Sequence, residues 1–252
     1  MPQVRRHELI IEFVNRHGFA NIEQLTSHFM VTPQTIRRDL NRLANLGHVR
    51  RHHGGASSSS STKNSDYITR LSSNMVAKTR IAEQVARAIP NGSSLFINIG
   101  TTTEAIARAL LNHEELNVVT NNLHVAAILL PKKDFNVIIA GGQVRSRDGG
   151  IVGEQTSDFI NQFKMDFGII GISAIHQDGS LLDYDYREVR VAQSIIKNSN
   201  QVILSADHSK FDRTAIARLG HISQAHHLYT DQAPNQHTLD ILTTNDVRLH
   251  IA

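Results

Sequence analysis

Val31-Thr32-Pro33-Gln34-Thr35-Ile36-Arg37-Arg38-Asp39-Leu40, followed within a dozen residues by Arg50-Arg51-His52-His53-Gly54-Gly55-Ala56, is the stretch whose reading decides the architecture. Thr32 suits a helix N-cap, where its hydroxyl accepts a hydrogen bond from a first-turn N–H, and Pro33 suits the first helical position, where its missing donor is not needed. At about 100° per residue, Ile36, Leu40, Leu43, Ala44 and Leu46 gather on one stripe. Gln34, Arg38, Asn41, Arg42 and Asn45 gather opposite, with Thr35 and Arg37 flanking them. One face reads as core and the other as polar.

The polar face carries the residue types that read the major groove of DNA: Gln pairs with an adenine edge, Arg with a guanine edge, and Thr meets a thymine methyl. A merely solvated face would also be polar, so the surroundings have to decide. Upstream, Asn21-Ile22-Glu23-Gln24 has the form of a capping box opening a second helix, with Ile22, Leu25 and Phe29 on its core face. An earlier helix from about Arg5 to His17 offers Leu9, Ile10, Phe13 and Val14 and ends at Gly18. Met30-Val31-Thr32 is the tight turn before the last helix, and three helices so arranged make a helix-turn-helix. The last of them is expected to stop near Gly47, where Val49 to Gly55 reads as a short strand entering a glycine turn, a wing whose basic residues meet phosphate. The DNA-contacting set is therefore Thr32, Gln34, Thr35, Arg37, Arg38, Asn41, Arg42, Arg50, Arg51 and His52.

These words resemble the signature of DeoR-type bacterial repressors, in both Pro33-Gln34-Thr35-Ile36-Arg37-Arg38-Asp39-Leu40 and Arg51-His52-His53-Gly54-Gly55-Ala56.

At 252 residues the chain has room for two domains, and the serine-rich run from Ser57 to Ser65 supplies the boundary. The expected division is a winged helix-turn-helix over 1–57, a linker over 58–73, and an α/β effector-sensing and oligomerisation domain over 74–252. Residues 1–56 hold 8 Lys/Arg against 4 Asp/Glu and the rest hold 18 against 19, so the basic character belongs to the front. A localised cationic surface fits phosphate-backbone binding. Six of the 15 histidines also lie before Ala56, and their protonation at low pH would add charge there.

The chain has no cysteine, which removes disulfides, cysteine zinc sites and thiol chemistry. His52-His53 and His226-His227 lack metal-ligand spacing, and neither a metal nor a cofactor is expected. With no export signal or long apolar stretch, a soluble cytoplasmic protein without membrane contact is expected.

Beyond the linker the pattern changes to alternating elements. Asn74 to Ile89 is an amphipathic helix closed by Pro90-Asn91-Gly92. Strand-like runs follow at 94–99, 116–120, 136–140, 167–172, 201–205, 227–230 and 248–251. Helical patterns lie between most of them, at 104–111, 123–130, 156–163, 188–198 and 236–245. Such alternation predicts an α/β fold with a mostly parallel sheet covered on both faces.

Ligands of open α/β sheets collect where strands end and loops begin. After the first strand, Asn98-Ile99-Gly100-Thr101-Thr102-Thr103-Glu104 leads straight into a helix, where a glycine, three hydroxyls and the positive end of the dipole could cradle a phosphate. Ordinary capping by Thr102 or Thr103 explains the same residues, and both readings stay open here. It is not a P-loop, since the Gly-Lys-Ser/Thr ending is missing. Asn121 and Asn122 follow the second strand, Arg145 and Arg147 stand in the Gly141 to Gly150 loop after the third, and Asp207 and Lys210 follow the fifth. Together with Gly100, Thr101, Thr102 and Thr103 they form the expected effector site.

The same words extend the family resemblance over nearly the whole chain. It implies a C-terminal half similar in fold to sugar-phosphate isomerases, which binds a phosphorylated sugar or polyol, here glycerol 3-phosphate, and so releases operator DNA. It further implies a repressor of glycerol metabolism genes that works as a homo-oligomer. Two positions depart from the family pattern, Asn98 where Asp is usual and Asp212 where Gly is usual. The competing reading is an isomerase carrying a DNA-binding domain, which would need a positioned carboxylate as base; Asp178, Glu188 and Asp207 are available. The fused recognition helix favours a sensor.

Overall fold

The computed structural model describes residues 3–17, 19–46, 48–52, 54–58, 64 and 67–252. Gly18 and Gly47, expected as helix stops, His53 of the wing, and most of the serine run (59–63 and 65) lie outside the described residues. The chain divides into two compact units, Met1–Arg70 and Leu71–Ala252. The stretch expected as a linker contains a short helix, α4 below.

The first unit holds helices α1 (Gln3–His17), α2 (Ile22–Phe29) and α3 (Pro33–Asn45) and strands β1 (Phe19–Asn21), β2 (Val49–His52) and β3 (Gly55–Ser58). Asn21 closes the capping box with Gln24 in both directions, and Thr32 accepts from the Thr35 N–H with Pro33 just inside the helix. Met30 takes the left-handed conformation that turns α2 into α3. Ile10, Val14, Leu25, Ile36, Leu40, Leu43 and Val49 make the core. Leu46 is a correction to the expected stripe: α3 ends at Asn45, and Leu46 is its C-cap residue, 60% exposed. β2 was expected; its antiparallel partner β3 and the outer β1 were not. Gly55 is needed where β3 crosses β1, because a Cβ there would lie 2.2 Å from the Ala20 carbonyl oxygen.

Asp39 stands on the core side of α3, fully buried, between the apolar positions Ile36 and Leu43. Arg6 donates to it through Nε at 2.6 Å, and the His7 ring (3.0 Å) and Gln3 amide (3.3 Å) complete its shell. Burial opposes the charge, yet the hydrogen bonds from Arg6, His7 and Gln3 prevail and hold the carboxyl below its usual range. The angle of α3 against α1 is thereby fixed by a buried ion pair.

The second unit is built on a seven-stranded sheet: β4 (Ser94–Ile97), β5 (Asn117–Thr120), β6 (Asn136–Ile139), β9 (Met165–Gly171), β12 (Ser199–Ser205), β14 (His227–Thr230) and β15 (Arg248–Ile251). Their order is β15-β14-β12-β9-β4-β5-β6, and every pairing is parallel. Each corresponds to one of the seven apolar runs. On one face Leu95, Ile97, Val118, Ile169 and Ile203 pack with helices α5 (Met75–Arg87), α6 (Thr101–Ala109) and α7 (Leu123–Leu129). On the other, Phe96, Val119, Ile170 and Leu204 pack with α8 (Glu154–Ile160), α9 (Tyr186–Lys197) and α10 (Gln236–Thr244). A helix α4 (Tyr67–Ser72) precedes α5. Two additions escaped the sequence pattern: the hairpin β7 (Gln143–Arg145) with β8 (Gly150–Val152), and a small antiparallel sheet of β10 (Ala174–Ile175), β11 (Ser180–Asp183) and β13 (Ala217–His221).

Asp39→Ala leaves Arg6 buried without its carboxylate and should destabilise the N-terminal unit by about 3–5 kcal/mol. Denaturant unfolding of the full chain checks this against Arg38→Ala on the exposed side, whose expected effect is within about 0.5 kcal/mol.

Candidate functional sites: a nucleic-acid face and a sheet rim

On α3 the side chains of Gln34, Arg37, Arg38, Asn41 and Arg42 are exposed, as is Arg50 on the wing, while Thr35 is half-buried. The Thr32 hydroxyl is already occupied, accepting from the Thr35 N–H and lying 2.9 Å from the Thr35 hydroxyl, so its first role is to start the helix. Arg51 corrects the picture of a free wing cation. Its guanidinium donates to the carbonyl oxygens of His52 and Gly55 and to Asn41 Oδ1 (3.1 Å), bracing the wing turn against the recognition helix. Burial, and then the nearby Arg37, lower its pKa from the usual arginine value. His52 is likewise engaged, with Nε2 2.8 Å from the Ser57 hydroxyl and its ring against Phe19. Arg37, Arg38, Arg42 and Arg50 remain as outward cations of this face.

In the second unit the parallel arrangement sends the C-terminal ends of all seven strands to one rim. Gly100, at φ 149°, turns the chain from β4 into α6. The first-turn N–H groups of α6 have no intrahelical acceptor, as at any helix start. Thr101, Thr102 and Thr103 are all buried. The Thr103 hydroxyl is spent on the Asn98 and Gly100 carbonyl oxygens (2.7 Å each), which is the capping explanation for that residue. The Thr102 hydroxyl makes no hydrogen bond within the described residues.

Asn121 and Asn122 are fully buried. Asn122 caps α7 by accepting from the His124 N–H (2.9 Å) and donates to Glu104 at 3.4 Å, a structural role. Asn121 donates through Nδ2 to the Ile151 carbonyl oxygen, while its own Oδ1 is buried with no partner among the described residues. Asn98 Oδ1 is in the same condition.

Asp207 accepts from the Ser209 N–H (3.0 Å), the Ser209 hydroxyl (2.5 Å) and the Asn74 amide (3.0 Å). Burial would raise its pKa, but the Lys210 charge, the Ser209 hydrogen bonds and the Lys78 charge bring it below the usual value. Lys78 was missed by sequence reasoning. It stands three and seven positions before Ile81 and Val85, on the apolar stripe of α5 itself, and is only 5% exposed. A lysine on a core stripe is the signal that could have found it, because such a charge is held only where partners compensate it. Lys78 and Thr101 line one cleft of about 890 Å³ between α5 and α6, whose remaining wall is mostly apolar.

Arg145 is the second correction. Its guanidinium is enclosed by Asp148 (2.7 and 2.9 Å), Asp185 (3.2 Å) and Glu188 (2.7 Å), so it neutralises carboxylates and offers no charge to a ligand. Burial works against the charge, but Glu188 and Asp148 raise its pKa. Arg147 is half-exposed, with Nε 3.8 Å from Asp148. Around the cluster, burial and then Asp183 push Glu188 up to about 7, although Arg145 opposes them. None of the three acids available to an isomerase is placed as a free base: Asp178 is exposed and held by Ser180 and His176, Asp207 closes a turn, and Glu188 faces Arg145.

A helix-turn-helix unit and a doubly covered parallel sheet with a polar rim, carried on one chain, define a DNA-binding regulator with its own small-molecule sensor. The DeoR-like helix-turn-helix domain family matches residues 6–62 and the DeoR C-terminal sensor domain family matches residues 73–232, so the chain belongs to the DeoR family of transcriptional regulators. It is 53% identical over 251 residues to the glycerol-3-phosphate regulon repressor of Escherichia coli, with 100% of each chain covered. With the protein of that name from Haemophilus influenzae it shares 55% over 234 residues, covering 93% of this chain and 91% of that one. It is also 39% identical to the HTH-type transcriptional repressor CsqR of Escherichia coli, over 91% and 88% of the two chains. Among solved structures, ribose 5-phosphate isomerase A from Methanocaldococcus jannaschii matches 55% of each chain at 12% identity, with a TM-score of 0.41. The chain is a repressor with a sensing domain, and the isomerase reading falls.

Because Glu188 has a folded pKa near 7 against an ordinary value of 4.5, the folded state holds its proton where the unfolded state has lost it. The contribution is complete below about 4.5 and is lost as pH rises through 7. Glu188→Gln should therefore flatten the fall in thermal midpoint between pH 5 and 8 seen for the unaltered chain; an identical pH profile would show that Glu188 is ionised throughout.

Proposed function

We propose that the chain represses genes of glycerol 3-phosphate metabolism by holding operator DNA through α3 and the wing, and that glycerol 3-phosphate bound at the sensor rim releases it. The observation that carries the effector half of this reading is Lys78, a buried lysine sharing a cleft with Thr101 at the start of α6. A helix N-terminus, the Thr102 hydroxyl and lysine charge are together what a phosphate dianion requires. Thr101, Thr102, Lys78 and Lys210 are accordingly the phosphate partners, with Gly100 giving close backbone approach and Arg147 a peripheral cation. Arg145, Asn122, Thr103 and Asp207 hold the rim in shape. Binding then acts on DNA through unequal affinity for two arrangements of the protein.

On the DNA side, Arg38 and Gln34 at the centre of the polar face read bases, Arg37, Asn41 and Arg42 flank them, and Arg50 meets phosphate. Arg51 and His52 keep the wing in place. One such helix reads only a half-site, so we take the working form to be a symmetric homo-oligomer.

Arg38→Ala should lower affinity for operator more than for random DNA, by about 1–3 kcal/mol, whereas Arg50→Ala should weaken both alike and flatten the salt dependence by nearly one unit of log–log slope. Equal losses on both DNAs for Arg38→Ala would remove it from base readout.

The effector is tested by fluorescence anisotropy of labelled operator titrated with glycerol 3-phosphate. Lys78→Gln and Lys210→Gln should each need about tenfold or more effector for release, since a charge-assisted contact is worth about 1.5–3 kcal/mol, while binding DNA normally in its absence. Loss of operator binding without ligand would show instead that these lysines hold the fold together.

A further inference from the structure

Ile97 of β4 and Thr120 of β5 are the last register partners of two neighbouring strands, and Asn98 and Asn121 are the residues that follow them. Phe96 and Val119, two positions earlier, both belong to the core on the α8–α9 side, so the two asparagines hold equivalent places at the ends of adjacent strands. Both are buried, at 2% and 0% exposure, and both amide oxygens lack a partner among the described residues. The orientation of Asn121 is set by its NH2 group, which donates to the Ile151 carbonyl oxygen at 3.0 Å and leaves Oδ1 as a true acceptor. A buried acceptor without a donor costs about 1–3 kcal/mol, and two side by side are not expected of ordinary packing.

We propose that the side-chain oxygens of Asn98 and Asn121 form a paired acceptor that reads two neighbouring hydroxyl groups, a vicinal diol, on the phosphorylated effector. The proposal rests on the reading of the rim as the phosphate site. Two amide oxygens fall far short of the six to eight oxygen ligands a calcium ion takes, and a ligand that is already an anion brings neutral hydroxyls as its donors. The geometry suits a short molecule: from Asn98 to Gly100 the chain spans at most about 7 Å, so a three-carbon skeleton can put its phosphate at the α6 N-terminus and its hydroxyls at the asparagines. Asn121 is tied to the Ile151 strand and fully buried, so a ligand reaching its oxygen displaces part of that cover, which couples binding to a change of shape. A site built to hydrogen-bond a hydroxyl rejects the analogue that lacks it, because the acceptor is then left unpaired.

Calorimetry on the full chain with sn-glycerol 3-phosphate, 1,3-propanediol monophosphate (which lacks the middle hydroxyl) and inorganic phosphate provides the test. The unaltered chain should prefer glycerol 3-phosphate to the propanediol ester by about tenfold or more. Asn98→Ala should lose most of that preference with no fall in thermal midpoint in the absence of ligand, because it removes an unpaired acceptor. Asn98→Asp, which keeps an acceptor oxygen, should retain the preference. Equal affinity of the unaltered chain for the two esters overturns the proposal without recourse to any variant, as does an unchanged preference in Asn98→Ala, the result expected if a buried water satisfies both oxygens. Failure of the unaltered chain to bind glycerol 3-phosphate at all would instead overturn the phosphate-site reading, and this proposal with it.

Discussion

Parallel pairing of seven strands is the constraint on which the sensor depends. A parallel sheet has to be covered on both faces, which is why its strands read as apolar runs and why helices α5 to α7 and α8 to α10 lie on opposite sides. The same constraint delivers every strand's C-terminal end to one rim, where the apolar runs give way to Asn98, Asn121, Ser205 and Thr230, all with buried side-chain oxygens that have no partner among the described residues. A rim of this kind is poor packing but good ligand chemistry. Lysines at positions 78 and 210 bring positive charge to the anionic Asp207, and the start of α6 adds N–H groups that have no acceptor within the helix.

In the DNA-binding unit one buried ion pair plays the corresponding part. Asp39 lies on the inner side of α3 while Arg38 and Arg42 lie outside, so the Arg6–Asp39 contact sets the direction in which the reading face points. Arg51 does the same for the wing by tying the turn to Asn41. Two arginines that seem interchangeable in sequence, Arg50 and Arg51, thus have different work: one faces outward and the other is a brace.

Features set by local rules were legible in the sequence. The capping box at Asn21, the Thr32-Pro33 helix start and the seven apolar runs depend on neighbours within a few residues, and the structure has all of them. Contacts between distant residues were not legible. Nothing near Asp39 announces Arg6, 33 positions away, and nothing in the Arg145 loop announces Asp185 and Glu188, so a charge that looked free for ligand was already neutralised. Strands of two to five residues such as β10, β11 and β13 are too short to show a period. Leu46 failed because a stripe drawn on an ideal helix continues past the point where the real one ends. Within the rim, the residue types were visible but their state was not: Thr103 is spent on capping, while the Asn98 and Asn121 oxygens have no partner among the described residues.

The central claim is that one protein couples a phosphorylated polyol to operator DNA. Its most direct test is to titrate glycerol 3-phosphate into the free protein and into the protein–operator complex. Linkage requires that operator weaken the effector by the same factor by which effector weakens the operator, typically about 1–3 kcal/mol. Affinities that fall in the complex by that shared factor are the predicted result; the same affinity for glycerol 3-phosphate with and without operator would contradict the account.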